Sequence, residues 1–148
     1  MAKAIVIYDT NYGYTETMAK AIVTGMEEAG VDVELKKALA AKEEDLEDVD
    51  AVVLGSPTYH HDMISSMKMF LFKMKKVDLK GKVGAAFGTY GFSGEAAEMM
   101  SDTMKHIFEM DMIEPDLKMK GMEVVTREKE CKEFGNKIAK KIKEKGGG

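Results

Sequence analysis

Three short stretches carry the side chains best suited to chemistry: "DTNYGYT" (Asp9 to Thr15), "GSPTYHH" (Gly55 to His61) and "GTYGFSGE" (Gly88 to Glu95). Each combines hydroxyls, glycine and an aromatic ring just after an apolar run. Hydroxyls and backbone amides at a helix start can hold a phosphate through hydrogen bonds and the helix dipole, without a cation. The first stretch offers Thr10, Thr15, Tyr12 and Tyr14 around Gly13, and its first lysine is Lys20. It lacks the glycine–lysine pattern of a Walker A loop, and Gly13 stands alone where a dinucleotide fingerprint needs three glycines. The plain alternative is an ordinary turn with a threonine cap. Tyr59, Tyr90 and Phe92 sit beside glycines in the other two stretches and suit a flat ligand. One loop aromatic is ordinarily packing, whereas two aromatic loops facing a phosphate turn favour a planar ring system.

These loops must be positioned by the elements around them. "AKAIVIYD", "DAVVLGSPTY" and "KVGAAFGTYG" read as buried strands, "VDVELKKA" as an edge strand, and "IEPDLKMKG" as a less regular one. Helical periodicity places Met18, Ile22, Val23, Met26 and Ala29 on one face, and Met67, Phe70, Leu71 and Met74 on another. A third helix turns Ala96, Met100, Thr103, Met104, Ile107 and Phe108 inward. The last, with Thr126 as its cap, buries Cys131, Phe134, Ile138 and Ile142. The alternation predicts an α/β fold: a five-stranded parallel sheet with helices on both faces. Ligands in such sheets bind beyond the carboxyl ends of the strands, where strand order reverses. In the order 2-1-3-4-5 the three loops emerge side by side at that edge. Residues 1–145 form a single domain, with 146–148 a flexible glycine tail.

The net charge of −4, from 22 basic and 26 acidic residues, argues against a nucleic-acid binder. Cys131 is the only cysteine, so an intramolecular disulfide is impossible, and its helical spacing puts it in the core. Neither a leader nor a membrane-spanning run is evident, and the expectation is a cytoplasmic protein. His106 reads as a surface residue.

Across nearly its whole length the chain resembles the flavodoxin family, on "TNYGYT" (Thr10 to Thr15). It is more similar still to the flavodoxin-like domain of flavodiiron (A-type) flavoproteins, on "DTNYGYTE", "GSPTYHH" and "GTYGFSGE". The resemblance implies a flavodoxin-like three-layer α/β/α sandwich binding FMN. Thr10, Asn11, Tyr12, Gly13, Tyr14 and Thr15 would surround the phosphate. Pro57, Thr58, Tyr59, His60 and His61 would line one side of the ring, and Thr89, Tyr90, Gly91, Phe92 and Gly94 the other. Ser56 would shape its loop or help bind phosphate or ribityl. Tyr12 stands in place of a threonine of the general motif, Tyr14 is bulkier than the usual residue, and Phe92 stands where the flavodiiron branch often has tryptophan. The oxygen-reducing metal domain of that branch has no counterpart, so its di-iron chemistry does not carry over.

The implied function is a low-potential electron carrier: a monomer passing single electrons transiently between redox partner proteins. A phosphate site without a cation, with Asp9, Asp62 and Glu95 nearby, would hold the ring in a negative field. The alternatives are a flavodoxin-like NAD(P)H or quinone reductase and a non-redox module on the same fold. For "HH" at His60–His61, a solvated loop, pH tuning of the flavin and a metal site are the three readings. Met63, Met69 and Phe72 could form an adaptable docking patch, the alternative being a helix packed on two sides.

Overall fold

The computed structural model describes residues 1–146. Its strands are β1 (Lys3–Tyr8), β2 (Asp32–Lys37), β3 (Ala51–Tyr59), β4 (Asp62–Met63), β5 (Val83–Tyr90), β6 (Asp111–Met112) and β7 (Leu117–Lys120). Its α-helices are α1 (Tyr14–Glu28), α2 (Ser65–Met74), α3 (Glu95–His106) and α4 (Glu128–Glu144). The sheet runs β2-β1-β3-β5-β6, with every neighbour on that path parallel. The sheet has seven strands rather than five. The fifth strand is interrupted at 113–116, so β6 and β7 pair with opposite ends of β5, at Val83–Gly84 and Phe87–Tyr90. β4 is a two-residue antiparallel extension of β3. Counting β6 and β7 as one strand restores the order 2-1-3-4-5.

Pleating divides the core. Ala4, Val6 and Tyr8 of β1 face one layer with Met18, Ile22 and Met26 of α1 and Ile138 of α4. Ile5 and Ile7 face the other, with Phe70 of α2 and Met100 of α3. Buried on both sides, β1 and β3 are almost continuously apolar, whereas the edge strand β2 alternates exposed and half-buried residues. α1 and α4 pack backbone to backbone. A Cβ on Gly25 would lie 2.2 Å from the Lys132 carbonyl oxygen, and one on Gly135 2.3 Å from that of Ile22.

Some local expectations change. A 3-10 helix over Gly121–Arg127 precedes α4, and Thr126 donates its hydroxyl to the Glu123 carbonyl within it, so Thr126 does not cap α4. Ile107 lies just beyond the end of α3 and is 62% exposed, because its neighbour Phe108 takes the inward position. Met63 is buried in the α2–α3 layer and leaves the surface patch to Met69 and Phe72. Of the expected glycine tail, Gly146 bonds back to Lys143 at φ 83, and 147–148 lie outside the described residues.

Candidate cofactor site

β1, β3 and β5 end side by side, and their loops surround a cavity of about 470 Å³. This lies within the roughly 300–1,000 Å³ of small-molecule sites. The β1–α1 turn supplies Asn11, Tyr12 and Tyr14, β3 supplies Pro57, Thr58 and Tyr59, and β5 with its loop supplies Thr89, Tyr90 and Gly91. A further wall comes from the end of β7 and the 3-10 helix behind it: Lys120, Gly121, Met122 and Glu123. Sequence reasoning missed this wall. "KMKGME" has no phosphate or aromatic signature, and its one signal is a glycine where an edge strand breaks.

The β1–α1 turn is built to leave a helix end open. Thr10 donates its amide to Asp9 Oδ1 at 2.7 Å, and Gly13 donates its own to Thr10 Oγ1 at 2.9 Å. Gly13 sits at φ 89, in the left-handed region, and starts α1 with no side chain capping the helix. First-turn amides have no intrahelical acceptor, so this end suits an anion. Thr15 is buried, and its hydroxyl meets that of Thr89 at 2.8 Å, joining the turn to β5. Tyr14 lies against Gly121, where a Cβ would come within 2.4 Å of its ring. The bulk at position 14 therefore fills the space between the turn and the fourth wall.

Several candidates shape the loops around the cavity, and of these Thr58 also lines it. Ser56 is wholly buried, donating to the Pro57 carbonyl (2.8 Å) and accepting from the Ile64 amide (2.9 Å), and so shapes its loop. Thr58 Oγ1 accepts the Ala96 amide at 3.1 Å, tying β3 to the start of α3. Gly94 leaves room for Tyr90 and the Lys118 stem. His60 and His61 are the two turn residues between β3 and β4, both at positive φ (49 and 64). Phe92 is 94% exposed and, with both histidines and Ser93, lines a smaller recess beside the cavity.

The electrostatics differ from a uniformly negative site. Asp62 pairs with Lys68, and Glu95 with His61. The Asp9 carboxylate accepts the Ser66 hydroxyl, and Lys120 stands on the cavity wall. The absence of a cation is thus a property of the β1–α1 turn and not of the whole cavity wall. Behind the turn, Tyr8 donates to Glu16 at 2.8 Å. Burial, followed by that bond, pushes the Tyr8 phenol up to about 12, and the bond from Tyr8, followed by that from Lys20, lowers Glu16. Among the described residues no group of three or more His, Cys, Asp or Glu is arranged to hold a metal ion.

A family model described as "Flavodoxin domain" matches residues 5–130. The chain is 32% identical, over 95% of its length, to a nitric oxide reductase of Moorella thermoacetica, of which it covers 36%. It is 31% identical, over 91% of its length, to a type A flavoprotein of Rhodobacter capsulatus, of which it covers 32%. It therefore spans about a third of the length of these curated relatives. A solved flavodoxin from the domain Archaea superposes with a TM-score of 0.91 at 35% identity, covering 95% of this chain and 99% of that one. The open helix end, the hydroxyls beside it and the aromatic-walled cavity fit a phosphate joined to a flat ring. The chain belongs to the flavodoxin domain family, a family of FMN-binding redox domains.

Proposed function

We propose that the chain is an electron carrier that takes up and releases electrons one at a time through FMN in this cavity. The observation that carries the reading is the cavity itself. It has an uncapped helix end at one side, and Tyr12 (81% exposed), Tyr59 (47%) and Met122 (84%) at its mouth. Such a mouth leaves a bound ring within reach of a partner protein.

Thr10 to Thr15 would hold the phosphate by hydroxyls, amides and the dipole of α1. Pro57, Thr58 and Tyr59 would flank the ring on one side, with Thr89, Tyr90 and Gly91 on the other. Met122 would cover an edge, and Lys120 and Glu123 would set the local charge. Bound FMN supplies reversible one- and two-electron chemistry, and the protein's part is to bind it, orient it and tune its potential. His60, Phe92 and Gly94 shape the loops at the mouth. The partners are transiently docked redox proteins, the working form is a cytoplasmic monomer, and the potential is low. No described helix is long and apolar enough to cross a membrane.

The purified protein should be yellow, or become so on adding FMN with its fluorescence quenched, and should reduce in two separated one-electron steps. A protein that ignores FMN, or that reduces in one two-electron step, would overturn the carrier reading. A reductase is the second reading, because the Moorella relative bears that name. The matched stretch is only 36% of that protein, which places most of it outside the shared domain. Steady-state NAD(P)H oxidation by the protein alone would favour the reductase.

A further inference from the structure

The hairpin turn between β3 and β4 and the loop before α3 flank the cavity from different parts of the chain, and one contact joins their tips. His61 Nδ1 lies 2.7 Å from Glu95 Oε2 and 3.2 Å from Ser93 Oγ. Bonds from Ser93 and then His61 hold the Glu95 carboxyl at about 2, so it is a carboxylate at neutral and mildly acidic pH. A carboxylate only accepts, so the proton between Glu95 and His61 belongs to Nδ1. That leaves Nε2 to gain or lose a proton on a side chain that is 70% exposed. His61 is also fixed in place: it and His60 occupy the positive-φ positions of a two-residue turn.

We infer that His61 is a positioning residue for the cofactor site, clasping the β3–β4 turn to the start of α3 through Glu95, and that protonation of its ring tightens the clasp. The inference rests on the FMN reading of the cavity. His61 does not line that cavity, whereas Tyr59, two residues before it, and Tyr90 and Gly91, before Ser93, do. With a neutral ring the contact is a hydrogen bond to a carboxylate. With a charged ring it becomes an ion pair with the same geometry, and a Coulomb attraction adds to the charge-assisted bond already present. The groups facing the ring are few. On its own hairpin are His60 and Asp62, the latter taken by Lys68 of α2; across from it are Ser93 and Glu95. No second carboxylate competes for the imidazolium among these contacts. Imidazole is the side chain whose charge can change nearest neutrality, so pH is the variable that tests the clasp.

The test compares FMN dissociation constants at pH 5.5 and pH 8, by quenching of flavin fluorescence, for the wild type, His61→Asn and Glu95→Gln. Asparagine tolerates the left-handed turn position and does not titrate. The phosphate of FMN contributes its own pH dependence equally to all three proteins. The wild type should lose about two- to fivefold more affinity on going to pH 8 than either variant, the range expected of one exposed ion pair. A purely structural role would weaken both variants equally at the two pH values, and that result would overturn the switch. Ring 15N shifts in the flavin-free protein test the clasp apart from FMN. Neutral His61 should carry its proton on Nδ1, and Glu95→Gln should shift the ring towards the Nε2–H form. An Nε2–H ring in the wild type would sink the clasp, even if FMN binds. Loss of FMN binding with the Nδ1–H form intact would sink the cofactor reading alone.

Discussion

Lys120 changes the charge around the cavity. It lines the cavity, and no acidic side chain forms an ion pair with it among the described residues. A cation there favours the more negative, reduced form of a bound ring, whereas Glu123 beside it is in an ion pair with Arg127 and opposes that form only weakly. Replacing Lys120 by glutamine should lower the FMN reduction potential by on the order of tens of millivolts, the scale of one solvent-screened charge. A spectroelectrochemical titration measures it, and an unchanged potential would mean that Lys120 points its charge into solvent. A second residue-scale prediction concerns the buried hydroxyl pair Thr15–Thr89. Thr89→Val keeps the shape but leaves the Thr15 hydroxyl without its partner, which costs about 1–3 kcal/mol. Urea denaturation should show that loss, and FMN binding should weaken with it, because the pair ties the β1–α1 turn to β5.

At the scale of elements, α1 and α4 pack closely because Gly25 and Gly135 face each other's backbones. Alanine at 135 would place a methyl 2.3 Å from the Ile22 carbonyl oxygen, a backbone atom that cannot rotate away. The helices must separate, and overpacking of this kind costs about 1–3 kcal/mol. Gly135→Ala should lower the denaturation midpoint while the isolated turn chemistry at Gly13 is untouched, and unchanged stability would show the helices sliding freely. Neither glycine stood out in the sequence, because a packing glycine and a propensity-lowering one look alike there. The three loops were legible for the opposite reason: an open helix end needs glycine and hydroxyls, and those needs appear as letters. Asn11, Tyr12 and Tyr14 meet Pro57, Thr58 and Tyr59 at the cavity for that cause, whereas Thr10, Gly13 and Thr15 build the turn without lining it. The fourth wall did not show, because Lys120 and Met122 are placed by the interruption of the last strand. Thr126 was misread for a related reason, since a threonine inside a 3-10 helix and one capping an α-helix share the same local sequence.

For the molecule as a whole, the pH range of stability follows from groups the fold has taken out of water. Burial raises the Cys131 thiol to about 11 and the Tyr8 phenol to about 12, from ordinary values near 9 and 10. A group raised on folding favours the protonated native state. Its contribution is fully present below the unfolded value and is lost as pH rises to the folded one. The Cys131 share is therefore lost between about pH 9 and 11, and the Tyr8 share between about pH 10 and 12. Glu16 and Glu95 are lowered on folding, so their shares are present above the ordinary carboxylate range and lost as pH falls below it. Stability should form a plateau from about pH 5 to 9 and drop on both sides. The alkaline side discriminates best, because Cys131 is buried and its substitution by alanine removes one titration. Urea midpoints at pH 8 and pH 10.5 should fall steeply in the wild type and less steeply in Cys131→Ala, although the variant starts lower for its lost packing. Parallel falls in the two proteins would show that the thiol ionises without opposing the fold, and would leave the Tyr8–Glu16 pair behind the β1–α1 turn as the source of the alkaline limit.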